Sequence, residues 1–166
     1  MIKIRKDQQQ DCIDLANILV DNNRIYNRFG DSDKQRKQNI YYGKMGEVAF
    51  YNYLTESGIS IDYSALFSIK ADTYDFIMPN GLFTIDVKTI RVGHRFILQP
   101  KDQEVKDYIV GVQVNGLMAN ILGYINRIDY KKFSDDVVSG SMQYPCYNCK
   151  IDQLKDVNVI VKHWFF

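Results

Sequence analysis

The dipeptide Asn80-Gly81, preceded by Pro79 and set between two runs of alternating apolar and polar residues, places the tightest limit on how this chain folds. Residues Tyr74 to Met78 and Leu82 to Ile90 read as the two strands of a hairpin. With Asn80 and Gly81 as the loop pair, Pro79 faces Leu82 and, counting outward, Asp75 faces Asp86. Strand parity puts Lys88 on the face of Asp86 and turns Phe76, Met78, Phe83, Ile85 and Val87 to the other. A three-residue loop would shift the pairing by one and set Asp75 opposite Ile85 instead.

Two aspartates directly opposed in an antiparallel pair start about 4.5–5.5 Å apart and repel each other, so a merely structural sheet disfavours them. A cation between them converts that repulsion into shared coordination. Mg²⁺ or Mn²⁺ suits the oxygen donors. A protonated Lys88 is no ligand but can stand beside such an ion. A helix is expected from Gly43 to about Ser57, because Glu47, Phe50, Tyr51 and Leu54 fall on one stripe, with Gly58 placed to end it. An acid on that stripe is costly to bury unpaired. If the helix packs on the Asp86 face, Glu47 joins Asp75, Asp86 and Lys88 in one cleft. Three acids and a lysine suit phosphodiester hydrolysis: a metal-polarised phosphoryl oxygen, a water of lowered pKa and a cation for the developing charge.

Asp75, ten intervening residues and then Asp86-Val87-Lys88 resemble the motif of the PD-(D/E)xK nuclease superfamily, and Gly43-Lys-Met-Gly-Glu47 resembles its preceding helix glutamate. Restriction endonucleases, Holliday-junction resolvases and phage and repair nucleases belong to that superfamily. The resemblance covers roughly residues 43–125. It implies Asp75, Asp86 and the backbone carbonyl of Val87 as metal ligands, Glu47 as an auxiliary ligand, and Lys88 acting on the water or the phosphate. Tyr74 stands where the motif usually has proline. Duplex or branched DNA is the implied substrate, and a symmetric homodimer would supply one site per strand. The alternative is a catalytically inactive DNA-binding or assembly module of the same fold, with Cys146, Cys149 and the tail His163-Trp-Phe-Phe at an interface.

The rest of the chain is read around this core. A short strand at Met1 to Arg5 precedes a helix over Asp11 to Val20, with Ile13, Ala16, Leu19 and Val20 as its apolar positions. Asn22 to Asn39, polar and holding Arg24, Arg28, Lys34, Arg36 and Lys37 around Gly30, reads as a loop or broken helix. Asp107 to Val114 and Ile121 to Ile125 read as buried strands, and Val157 to Val161 as a further one. The expected class is α/β (α+β): a mixed central sheet of four to five strands flanked by helices, in one domain over residues 1–166, restriction-endonuclease-like.

Lysines and arginines number 21 against 20 acids, so a net charge of +1 provides no long-range field for nucleic acid, and phosphate contacts must be local. Arg91, His94, Arg95 and Lys101 are the candidates for DNA binding. Tyr41, Tyr42, Tyr51 and Tyr53 around the Glu47 helix are read mainly as packing. Pro145 is followed by Cys146-Tyr-Asn-Cys149, half of a zinc knuckle without a second pair, which reads as two unrelated thiols in a loop. Three cysteines, no signal-like leader and no membrane-length apolar run lead to the expectation of a cytoplasmic protein.

Overall fold

A computed structural model describes residues 1–22, 31–67, 75–77, 81, 83–101, 103–135 and 146–164 of the chain. In order, these form β1 (Ile2–Lys3), α1 (Lys6–Asp21), α2 (Asp33–Glu56), β2 (Phe76–Ile77), β3 (Thr84–Arg91), β4 (Phe96–Pro100), β5 (Tyr108–Asn115), β6 (Met118–Asn126), α3 (Arg127–Lys132), β7 (Ser134–Asp135), β8 (Cys146–Lys150) and α4 (Asn158–Trp164). A five-stranded mixed sheet in the order β1-β6-β5-β3-β2 forms the centre; β3 and β5 are parallel and the other pairs antiparallel. This is the expected α+β class, with helices against the sheet. The second, three-stranded sheet β4-β8-β7 was not anticipated from the sequence.

Alternation along β3 organises the layers. Ile85 and Val87 join Val110, Val112 and Val114 of β5 in the core under α2, where Met45, Val48, Ala49 and Phe50 are fully buried. Ile90 points the other way, into a smaller core with Ile97 of β4, Ile109, Ile125, Tyr130 and Cys149. Helices α1, α2 and α4 therefore cover one face, and the second sheet with α3 covers the other. Gly111 allows this closeness on the second face: a Cβ there would press on the methyls of Ile97 and Leu154.

Both long helices begin earlier than periodicity predicted. Helix α1 starts at Lys6 rather than Asp11, because its polar first turn is fastened by the Arg5 backbone N–H donating to Gln8 Oε1 (3.0 Å). Gln8, fully buried, exchanges hydrogen bonds with Asn52 of α2 (2.8 and 3.0 Å). Ile13 is exposed; Cys12, Leu15, Ala16, Leu19 and Val20 form the buried stripe. Helix α2 starts at Asp33 instead of Gly43, with the Ser32 hydroxyl accepting from Gln35 N–H as N-cap (3.3 Å). Its first two turns bury no residue, so they carry no apolar stripe. Arg24, Arg28 and Gly30 lie outside the described residues. At its far end Gly58 (φ 83°) closes α2, with Gly58 N–H to Thr55 and Ile59 N–H to Leu54 carbonyls.

Residues 157–161 are not a strand. Val157, Ile160 and Val161 are buried at helical spacing, and α4 starts after Asp156, whose carboxylate accepts from Asn158 N–H (3.0 Å). A run of β-branched residues with one asparagine has no decisive period, and the capping aspartate settles it. The side chains of His163 and Trp164, and all of Phe165 and Phe166, lie outside the described residues.

Candidate active site at the edge of the third strand

Phe76 pairs with Ile85 and Ile77 with Thr84, the register that a two-residue loop at Asn80-Gly81 requires. Gly81 has φ 70°, as such a turn demands; Tyr74, Met78, Pro79, Asn80 and Leu82 lie outside the described residues. Continuing the register brings Asp75 to Asp86. At that point the backbone leaves regular pairing: Asp75 N–H donates to the Ile85 carbonyl (3.1 Å), and its Oδ2 accepts from Val87 N–H (2.7 Å). The carboxylate thus occupies the place of a strand neighbour along an edge of β3 that, from Asp86 onward, pairs with no other strand among the described residues. In an extended strand a residue's N–H and C=O point to the same edge, so the Val87 carbonyl faces the Asp75 side as well, while its side chain is buried.

The helix does not pack where the sequence argument needed it. Helix α2 lies on the Ile85–Val87 face, opposite Asp86 and Lys88. Glu47 still approaches Asp75, because α2 sits unusually close to β3. A Cβ on Gly46 would overlap the Thr89 hydroxyl, and that hydroxyl donates to the Gly43 carbonyl (3.1 Å). Gly46, by lacking a Cβ, and the Gly43 carbonyl, by accepting from the Thr89 hydroxyl, thereby bring Glu47 to the strand edge. One carboxylate comes from each face of the sheet and the third lies between them.

Electrostatics reflect this crowding. The Asp75 carboxyl is held well above the usual carboxylate range, first by desolvation and then by the charges of Glu47 and Asp86, against the opposing Val87 N–H and Lys44. Each outer acid has a lysine: Lys44 Nζ lies 2.5 Å from Glu47 Oε2, and Lys88 Nζ 2.6 Å from Asp86 Oδ2. Pairing with a neighbouring lysine is the ordinary structural role open to Glu47, and Lys44, three residues before it on the helix, supplies that partner. The donor set consists of hard oxygens suited to Mg²⁺ or Mn²⁺. Its spacing is looser than a filled metal site: among the described residues no three His, Cys, Asp or Glu side chains are gathered around one point.

The four candidate DNA contacts do not form one cluster. Arg91 ends β3, its Nη2 donating to Asn39 Oδ1 (3.1 Å) and its guanidinium 4.9 Å from the centre of the Tyr42 ring. With His94 and Lys88 it lines a cleft of about 310 Å³. Arg95 lines a second cleft with Lys150. Lys101 lies beyond the far end of β4, about 20 Å along the strand from Arg95 at the usual rise per residue. Tyr41 and Tyr53 fix helices through Gln9 (2.8 Å) and Asn158 (2.8 Å), and Tyr51 packs on Tyr63.

Cys146 and Cys149 lie on a strand rather than in a loop, both buried and neither in a disulfide. An odd separation on a strand sends them to opposite faces, so they cannot share a zinc ion. Pro145 lies outside the described residues. No helix among the described residues is long and apolar enough to cross a membrane. Comparison with family models, with curated proteins and with solved structures found no match to this chain. Its chemistry rests on its own residues.

Proposed function

We propose that this chain is a metal-dependent DNA endonuclease of restriction-endonuclease-like fold that hydrolyses phosphodiester bonds. One observation carries the proposal: Asp75, desolvated at a strand edge that pairs with no other strand among the described residues, feels the charges of Glu47 and Asp86 from either face of the sheet, with a lysine beside the strand acid. Repulsion of that kind costs stability and is expected where a cation belongs. Asp75, Asp86, Glu47 and the Val87 carbonyl would hold Mg²⁺ or Mn²⁺, which when bound polarises the phosphoryl oxygen and lowers the pKa of a water. Val87 N–H fixes the Asp75 carboxylate, and Asp86 holds the Lys88 ammonium where it can steady the charge of the attacked phosphate. Three buried cysteines outside any disulfide support a reducing, cytoplasmic setting. Cutting both strands of a duplex would call for two copies related by symmetry.

Purified protein with Mg²⁺ or Mn²⁺ is expected to nick or cut plasmid DNA and to stop on addition of EDTA. Asp86→Ala and Lys88→Ala should each lower the rate by about 100-fold or more while leaving the melting transition in place. Full activity in both variants refutes the assignment. The loose spacing of the acids favours a second reading, a catalytically inactive DNA-binding module; DNA binding without cleavage in either metal would select it.

A further inference from the structure

Phe96, the first residue of β4, is a large aromatic side chain left 44% exposed beside the candidate site. It forms a wall of two clefts of similar size. The first, about 310 Å³, is the one lined by Lys88, Arg91, His94 and Asn39. The second, about 330 Å³, contains Arg95, Lys150, Ile151 and Asp152. Among the described residues lining the clefts are four cations, Lys88, Arg91, Arg95 and Lys150, with His94 and the acid Asp152, and Lys88 is itself paired with Asp86, in a chain whose net charge is only +1. Arg91 is held in position by Asn39 and Tyr42.

We propose that the two clefts hold an unpaired strand of nucleic acid running past the Lys88 site, with one base against Phe96 and its flanking phosphates on Arg91 and on Arg95 and Lys150. This rests on the nuclease reading and narrows its substrate to DNA with an unpaired segment next to the scissile bond, such as an overhang, a flap or a branch. Single strands are bound by cationic tracks interleaved with aromatic faces. Each cleft is at the small end of ligand-pocket sizes, with room for one base. In a continuous duplex the bases stay within their stack and reach such a pocket only if extruded.

Fluorescein-labelled dT12 and rU12, and a blunt 12-base-pair duplex, are titrated by anisotropy against the full chain in EDTA. Cleavage in Mn²⁺ is followed on blunt, tailed and flap duplexes. Expected are tighter binding of dT12 than of the duplex, and a loss of roughly tenfold or more in Phe96→Leu, which keeps an apolar side chain but removes the stacking ring. Arg95→Ala/Lys150→Ala should weaken dT12 and flatten its salt dependence. Thermal melts of the variants guard against misfolding. Unchanged dT12 binding in Phe96→Leu, or tighter binding of blunt duplex, overturns the groove, and preference for rU12 overturns its assignment to DNA. Blunt-duplex cleavage indifferent to Phe96→Leu refutes the groove while the nuclease stands. Phe96-dependent strand binding with no cleavage of any substrate does the reverse.

Discussion

Asp75 shows how one side chain serves structure and chemistry against each other. Its carboxylate accepts the Val87 N–H and so completes the hairpin, yet burial and the charges of Glu47 and Asp86 raise its pKa. The folded chain therefore binds the Asp75 proton more tightly than the unfolded chain does. Stability from this group is fully present below the unfolded pKa and is lost as pH rises through the folded one. Asp75→Asn keeps an acceptor for Val87 and removes the charge. It should raise the melting temperature in EDTA by a few degrees at pH 7–8, with little gain at pH 4, and under the proposed nuclease function should abolish cleavage. Calorimetry at the two pH values checks this; a gain independent of pH would show that repulsion is not the cause. Mg²⁺ or Mn²⁺ should stabilise the wild type and leave Asp75→Asn nearly unaffected.

At the scale of elements, the docking of α2 on β3 places Glu47. Gly46→Ala improves helix propensity by about 1 kcal/mol, but its Cβ would overlap the Thr89 hydroxyl, and overpacking of that kind costs about 1–3 kcal/mol. We expect net destabilisation, partly relieved in Gly46→Ala/Thr89→Ala, with a coupling above about 0.5 kcal/mol in a denaturant double-mutant cycle. Additive effects would mean that the contact does not govern docking.

The same scale separates what was legible in the sequence from what was not. The hairpin register could be read because Asn80-Gly81 chemistry and strict alternation agree, and the end of α2 because Gly58 has the left-handed conformation that stops a helix. The starts of α1 and α2 were hidden because exposed helical turns have no apolar period. Strands β4 and β8 were hidden because Phe96–Pro100 and Cys146–Lys150 are five residues each, with polar positions such as Gln99 buried between sheets. The face chosen by α2 was not legible either. It depends on Gly46 meeting Thr89, a long-range contact that no local pattern encodes.

Across the whole molecule, Tyr130 of α3, packed in the core between the two sheets, fastens that helix to the second sheet, its hydroxyl close to the carbonyls of Ile97 (3.2 Å) and Tyr147 (3.4 Å). Burial pushes the Cys12 thiol up to about 12 and Cys149 to about 11, so at pH 8 neither should react with a thiol reagent until the fold opens. Cys12 reports the helical layer and Cys149 the second sheet. Mass-resolved labelling in low denaturant is expected to modify Cys149 before Cys12, and more so in Tyr130→Phe, if the second sheet opens as its own unit. Simultaneous labelling would show a single cooperative unit.

The edge of β3 beside Asp75, which from Asp86 onward pairs with no other strand among the described residues, also bears on colloidal behaviour. An uncovered strand edge is a template on which another chain can add a strand, and charged side chains are a common protection against this. Here Asp75 caps a backbone donor at that edge while Asp86 and Glu47 flank it. Neutralising the acids would therefore remove a guard against self-association. Light scattering of Asp75→Asn/Asp86→Asn at neutral pH should reveal oligomers that the wild-type protein does not form at the same concentration.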